Sequence, residues 1–462
     1  MDRIDLLASL AKDSNVLVDV GCDHGYSLIK AIKYYNVNNA IAIDINEGPL
    51  NNCKKNALKY GLNDRIKFIL SDGFLGLNEE FDTAIISGMG GILIKDILEK
   101  SLDKIKNHKL IIEANSDSYL VRKFLVNNNF IISDEYSIVD DNKYYEIMVF
   151  EPGNLEYVSF ELKYGPVLLS KKEDTFINEY KKRLKSLEEY LPNIKDTILK
   201  DEKLVLRNDY LKIIHGDNTK MYPIPNTDNY YRCYFHDDKR LPLIIISAGG
   251  GYKYTSPRES EPVQKFYFDN GYNVIIVNYR ESLDFYPVPQ ESLAYVIKRY
   301  QNDRRVSKII GLGFSAGGHN ILEVALHQDL YKCKIDLLML GYPVVTSDNR
   351  YWHKGSFDNL IGNNDKLLKR LSLENEVNEN APDLFLWGTL TDESVPVENS
   401  LLLLEAYKKY NLSIEYHLFP IGGHGLSLAN ETTSLGDKKK ELPIVSQWKE
   451  LSLNWLKLKI NE

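Results

Sequence analysis

The chain has 462 residues, 44% hydrophobic and 26% charged, which suits two large or three ordinary globular domains and excludes a disordered, collagen-like or disulfide-stapled chain. The net charge of −8 is spread evenly, with 30 basic against 35 acidic residues up to position 220 and 27 against 30 beyond it. A nucleic acid would therefore have to be held by a local basic patch. The longest apolar stretch, around 243–246, is far short of the ~20 residues of a membrane span. The opening MDRIDLLASLAKDS lacks the apolar core of a secretory signal. Cys22, Cys53, Cys233 and Cys333 are spaced too widely for a zinc knuckle or a CxxC pair. The expectation is a cytoplasmic protein with reduced thiols, no metal site and no membrane partner.

Two series of alternating strands and helices are predicted, each reading as a mostly parallel sheet covered on both faces. The first runs through strands at 15–20, 40–44, 66–70, 82–86, 109–113 and 130–139, with 143–151 as a final hairpin strand. Phe176, Tyr180, Leu184, Leu187 and Leu191 then recur at three- and four-residue steps, the apolar stripe of a helix. Leu191-Pro192-Asn193 breaks that helix, and a second helical stretch with Ile194 and Val205 completes a hairpin over 166–214. The stretch 215–229 is rich in Gly, Pro, Asn and Asp and reads as a linker. The second series has strands at 241–247, 273–280, 308–314, 335–343, 383–389 and 413–420. The resulting division is 1–165, 166–214, 215–229 and 230–462.

The first series carries DVGCDHGY directly after its first strand. Gly21 and Gly25 allow a tight turn and a close ligand approach. Asp44, ending the next strand, stands where an acid can bind both hydroxyls of a ribose. A nicotinamide dinucleotide is the rival ligand, but the loop is DxGxDxG rather than GxGxxG, and Asp19 and Asp23 would repel a pyrophosphate. A cationic sulfonium tolerates those acids, so S-adenosylmethionine is the expected cofactor, with Asp72 and Gly73 at its adenine. Gly88 and Met89, in the loop ending the fourth strand, complete the expected cofactor-binding set, with Met89 reading as packing or backbone positioning rather than chemistry. No NPPY-like motif occurs there, which argues against methylation of an exocyclic amine. His24 reads as a loop-orienting hydrogen bonder, and the KKRLK run at 181–185 as either a solvated helix face or a phosphate contact.

DVGCDHGY, ISGMGG, DDNKYYEIMVFEP and KYGPVLL, in this order and spacing, resemble the bacterial tRNA (adenine-22-N1)-methyltransferase family over residues 1 to about 212. The resemblance implies a class I Rossmann-like methyltransferase whose helical hairpin helps to hold tRNA. This sequence departs from the family pattern at IEANSD (112–117), where a Gln-Pro-Asn stretch is usual.

In the second series GFSAGGH follows a strand and opens a helical run, the G-x-S-x-G elbow of a serine nucleophile, here Ser315. Asp392 and His424 each follow a later strand, and Ser, Asp, His is the chain order of α/β-hydrolases. His424 would take the proton of Ser315, and Asp392 would orient His424. Backbone amides of Ala316 and of Gly250 or Gly251, in the SAGGGYKY loop, would form the oxyanion hole. His319 reads as structural. GGGY, PRESEPV, GFSAGG, DESVPVENS and GGHGLSL resemble α/β-hydrolases of the small acetylesterase and acetyl-xylan esterase-like group. That resemblance implies a short acyl ester as substrate, acetylated carbohydrates among the candidates, and it leaves a peptidase open. The polar insertion at 345–380 offers little cover for a long acyl chain.

The fold class expected is α/β throughout: a Rossmann-like methyltransferase with a helical hairpin, followed by an α/β-hydrolase. The expected function is bifunctional, N1-methylation of an adenine in tRNA plus short-chain esterase activity. The alternative is a hydrolase whose N-terminal half only binds.

Overall fold

The apolar runs that alternate with helical patterns assemble into two separate sheets in the computed structural model, which describes residues 2–194, 197–216, 220–237, 239–282 and 284–461. The chain divides into two units, Met1–Lys185 and Ser186–Glu462. The boundary falls inside the helix Asp174–Tyr190, so the following helix Thr197–His215 belongs to the second unit.

The first unit is built on β1 (Val16–Val20), β2 (Asn39–Asp44), β3 (Ile66–Leu70), β4 (Thr83–Met89), β5 (Lys109–Ala114), β6 (Phe130–Asp140) and β7 (Lys143–Pro152). Their order is β3-β2-β1-β4-β5-β7-β6. β1 to β5 are parallel, and the β6–β7 hairpin adds antiparallel strands at one edge. Neighbouring residues of the central strands enter opposite layers: Val18, Ile86 and Ile112 one core, Leu17, Ile85 and Ile111 the other. Continuous aliphatic runs are what a sheet buried on both faces requires. The order reverses between β1 and β4, which opens a crevice at the C-terminal ends of these strands. Phe176 and Tyr180 are buried and pack edge-on to each other, as the helical spacing predicts.

The second unit contains β8 (Met221–Pro223), β9 (Tyr230–Tyr234), β10 (Leu241–Ser247), β11 (Asn273–Asn278), β12 (Val306–Phe314), β13 (Leu337–Gly341), β14 (Asp383–Thr389) and β15 (Ile414–Phe419). Their order is β15-β14-β13-β12-β10-β11-β9-β8. The six strands read from the sequence are parallel, whereas β9 and β8 add an antiparallel edge. Both sheets are thus mixed. β8 lies within the stretch 215–229 read as a linker, of which 217–219 are outside the described residues. Its three residues end in Pro223, and β9 is interrupted by a charge, so neither shows a hydrophobic period. The charge is Arg232, buried and paired to Glu261 at 2.7 Å; Glu261 also takes Lys212 of the helix Thr197–His215 at 2.8 Å. Among the described residues no helix is long and apolar enough to cross a membrane.

Candidate active sites

In the first unit the turn after β1 is held by the amides of Gly21 and Cys22, which both donate to the carbonyl of Ile43 on β2. Gly25 has a positive φ of 69°, and a Cβ there would lie 2.2 Å from the Cys53 sulfur, so this position requires glycine. Gly88 and Met89, expected in a loop, are the last residues of β4, which pairs irregularly with β5 there, and a Cβ on Gly21 would meet Met89 Cε at 3.1 Å, so the end of β4 lies against the loop after β1. Asp19, inside β1, is buried. Ser27 donates to one of its carboxylate oxygens, and the other has no partner. Burial is the largest influence on this carboxyl and, with the nearby Asp44, pushes its pKa up to about 6 despite the Ser27 bond. Asp44 is buried at the end of β2, one oxygen accepting from the Asn46 amide at 2.9 Å.

The other expected cofactor residues gather at the same edge in different states. Asp72, after β3, is ion-paired to Lys100 at 2.9 Å, and a Cβ on Gly73 would strike Ile97 at 2.6 Å. Asp23 is exposed, 3.7 Å from His24. The Gly88 amide donates to Glu113 at the end of β5, 3.0 Å away. Glu113 is wholly buried, and its charge is met by Arg3 at 2.5 Å; its second oxygen has no partner. The sequence reading assigned no role to Glu113 or Arg3, although an acid closing the run KLIIE was a visible anomaly. The residues fit S-adenosylmethionine: an unpartnered buried carboxylate oxygen suits a cationic amino-acid ligand, and glycines line the approach. In the basic run, Arg183 is engaged by Glu179 and by the Tyr144 and Tyr180 rings, while Lys181, Lys182 and Lys185 are exposed.

In the second unit β12 runs directly into the helix Ser315–Leu326, and Ser315 at the junction has a φ of 51°. The turn is tight enough that a Cβ on Gly317 would lie 2.1 Å from the Ser247 carbonyl, and one on Gly313 2.6 Å from the Gly317 carbonyl. These glycines let a strained serine project from the sheet edge. His424 Nε2 lies 2.7 Å from Ser315 Oγ, and His424 Nδ1 lies 2.7 Å from Asp392 Oδ2. The other oxygen of Asp392 accepts from the amides of Ser394 and Val395 at 2.9 and 3.0 Å, which compensates a nearly inaccessible carboxylate. Such a chain can move a proton from the hydroxyl to the imidazole while the carboxylate holds the ring.

The loop after β10 separates its three glycines by use. The Gly249 amide is taken by Glu259 at 2.8 Å, whereas no described residue claims the amides of Gly250 and Gly251. A Cβ on Gly250 would lie 2.1 Å from the Tyr254 carbonyl, and one on Gly249 3.0 Å from Ser315 Cβ. Ala316 follows the serine at the start of the helix, where amides lack intrahelical acceptors.

Two residues beneath this site had no assigned role in the sequence reading. Glu259, within PRESEPV, is buried and receives the Tyr342 hydroxyl at 2.7 Å as well as the Gly249 amide. Tyr342 in turn accepts from the Ser427 amide at 2.9 Å and sets its ring edge-on to His424, 5.1 Å between centroids. This network joins the glycine loop to the histidine loop. An acid inside a segment otherwise rich in Ser and Pro was the available signal. His319 is fully buried, donating from Nε2 to the Leu371 carbonyl and accepting at Nδ1 from Tyr252, both at 2.9 Å, a structural arrangement.

Residues 17–215 match the tRNA (adenine(22)-N(1))-methyltransferase family, and residues 290–441, which contain Ser315, Asp392 and His424, match the prolyl oligopeptidase family. The chain is 29% identical over 223 residues to the tRNA (adenine(22)-N(1))-methyltransferase of Bacillus subtilis, covering 46% of this chain and 94% of that protein. It is 31% identical over 231 residues to endo-1,4-beta-xylanase B of Butyrivibrio fibrisolvens, covering 45% of this chain but only 35% of that relative's length. The solved structure of an acetyl ester-xyloside bifunctional hydrolase from Caldicellulosiruptor lactoaceticus is 33% identical and covers 52% of this chain and 96% of its own, with a TM-score of 0.46.

Proposed function

We propose that this chain, whose first half belongs to the tRNA (adenine(22)-N(1))-methyltransferase family and whose second half is an α/β-hydrolase of the prolyl oligopeptidase and acetyl-esterase kind, carries two enzymes: a tRNA adenine-N1 methyltransferase and a short-chain ester hydrolase.

For the hydrolase the carrying observation is the unbroken relay Ser315–His424–Asp392. His424 Nε2 accepts the hydroxyl proton as Ser315 attacks the acyl carbon. The oxyanion forms against the amides of Gly250 or Gly251 and Ala316. His424 then returns the proton to the departing alkoxide, and water repeats the sequence on the acyl-enzyme. The same relay would cleave an amide, and the prolyl oligopeptidase match favours peptidase activity as the second reading.

For the methyltransferase the carrying observation is the pair of buried acids, Asp19 and Asp44, at the switch-point edge of a sheet lying within the family match. Asp44 would anchor the ribose hydroxyls and Asp19 the cationic amino-acid end, with Asp72 and Gly73 beside the adenine. When bound, S-adenosylmethionine supplies an electrophilic methyl group. N1 of adenine carries an in-plane lone pair and needs alignment rather than a strong base, and the end of β4 at Gly88 and Met89, with Met89 against Gly21, supports that alignment. Well-oriented reactants gain ~7–11 kcal/mol this way. Lys181, Lys182 and Lys185 offer phosphate contacts, which position tRNA without reading its sequence.

The test is nucleoside mass spectrometry of tRNA incubated with the protein and methyl-labelled S-adenosylmethionine, run beside assays on p-nitrophenyl acetate and a prolyl p-nitroanilide. Labelled 1-methyladenosine and acetate release are expected. Unmodified tRNA would overturn the first assignment, and anilide cleavage without ester cleavage the second.

A further inference from the structure

We propose that His353 forms a subsite for the alcohol half of the ester, donating a hydrogen bond from Nε2 to a hydroxyl oxygen of a polyhydroxylated alcohol such as a sugar. The proposal rests on the ester-hydrolase reading above.

His353 caps the helix Lys354–Ile361, inside the polar insertion at 345–380. Its Nδ1 accepts from the Ser356 amide at 3.2 Å and lies 2.8 Å from the Ser356 hydroxyl. An imidazole nitrogen that accepts a backbone N–H carries no proton, so the proton of the neutral ring sits on Nε2. Burial and the neighbouring His424 favour the neutral ring, holding its pKa below the ordinary histidine value against the opposing pull of Asp392. Nε2 has no partner among the described residues. The tautomer is therefore set by the fold, and its one remaining polar atom is a donor.

The position of that donor matters. The ring is nearly parallel to that of His424, with 14° between planes and 6.5 Å between centroids. Its Cε1, bonded to Nε2, stands 3.9 Å from where a Cβ on Gly251 would be. His353 thus borders both the proton relay and the loop whose amides are free for the oxyanion. Its distance from that loop is fixed, because Asn359 of the same helix donates to the Gly251 carbonyl at 2.8 Å.

Chemistry then selects the oxygen. The acyl oxygen goes to the Gly250, Gly251 and Ala316 amides, and the leaving oxygen must receive the proton from His424. A third donor on this rim is left with acceptor oxygens of the alcohol. Simple alkyl and aryl esters have none to offer; a partly acetylated sugar has several. Discrimination by a built hydrogen-bond donor exceeds what an apolar pocket achieves.

The test compares kcat/KM for a monoacetylated methyl xyloside and for phenyl acetate in the full chain. His353→Phe should lower the sugar-to-aryl ratio by ~2–12-fold, chiefly through KM, the loss expected for one neutral hydrogen bond in a half-open site. His353→Gln keeps an N–H donor at similar reach and should return the ratio to within about 1.5-fold of the original. An unchanged ratio in His353→Phe, or an equal fall on both esters that Gln does not reverse, would overturn the subsite while leaving the hydrolase in place. Hydrolysis of the aryl ester with no turnover of the xyloside by the unaltered protein would also overturn it. Failure to cleave either ester would instead remove the hydrolase reading, and the subsite with it.

Discussion

At the C-terminal edges of their sheets the two units leave one buried aspartate each, Asp392 and Asp19, in opposite states. In the second unit every atom of the relay is bonded to another part of the same unit: two amides and an imidazole on Asp392, a hydroxyl on His424. In the first, Asp19 keeps an oxygen without a partner and a carboxyl pushed up to about 6. On the function proposed above, the contrast reflects where the reacting group comes from. A hydrolase that attacks with its own serine must build the nucleophile and its base into the chain. A transferase whose methyl group arrives with a ligand leaves charge unsatisfied until that ligand binds.

Removing the built-in hydroxyl should have the largest effect. Ser315→Ala should lower ester hydrolysis on the order of 10⁴–10⁶-fold, with methyl transfer unchanged because the two sites lie in separate units; paired kinetic assays of both activities check it. Next in size, Asp44→Ala should weaken S-adenosylmethionine binding by ~1.5–3 kcal/mol, the range for hydrogen bonds to a charged group, read by calorimetry.

The unsatisfied acid makes a prediction about pH. Because the Asp19 pKa is raised in the folded protein, its proton stabilises the unliganded fold at low pH, and that contribution is lost as pH rises through about 6. A cationic ligand prefers the ionised form, so its affinity should fall by up to ~10-fold per pH unit below 6. Titrations between pH 5 and 8 should show that slope, and Asp19→Asn should flatten it. The smallest effect concerns the network under the hydrolase site. Tyr342→Phe strands a Glu259 oxygen and the Ser427 amide, and should cost about 1–3 kcal/mol of stability, measured by urea unfolding.

Much of the architecture was legible because burial leaves local periods. Runs such as NVLVDV and LPLIIIS are continuous where both faces of a sheet are covered, and Phe176 and Tyr180 recur at helical spacing. The reading lost its footing where a short strand carries no period. β8 ends in Pro223, and β9 buries Arg232 against Glu261, a partner 29 positions away.

The two α/β series, the glycine-rich turns and the order in which Ser315, Asp392 and His424 follow their strands are legible without a fold, since each is written in short contiguous stretches. Tertiary structure alone decided which polar groups meet. Arg3 finds Glu113 across 110 positions, and Tyr342 reaches both Glu259 and Ser427 across 83 and 85. A buried charge or hydroxyl must have a partner, but its identity depends on which strand ends the sheet brings side by side, and no local pattern encodes that.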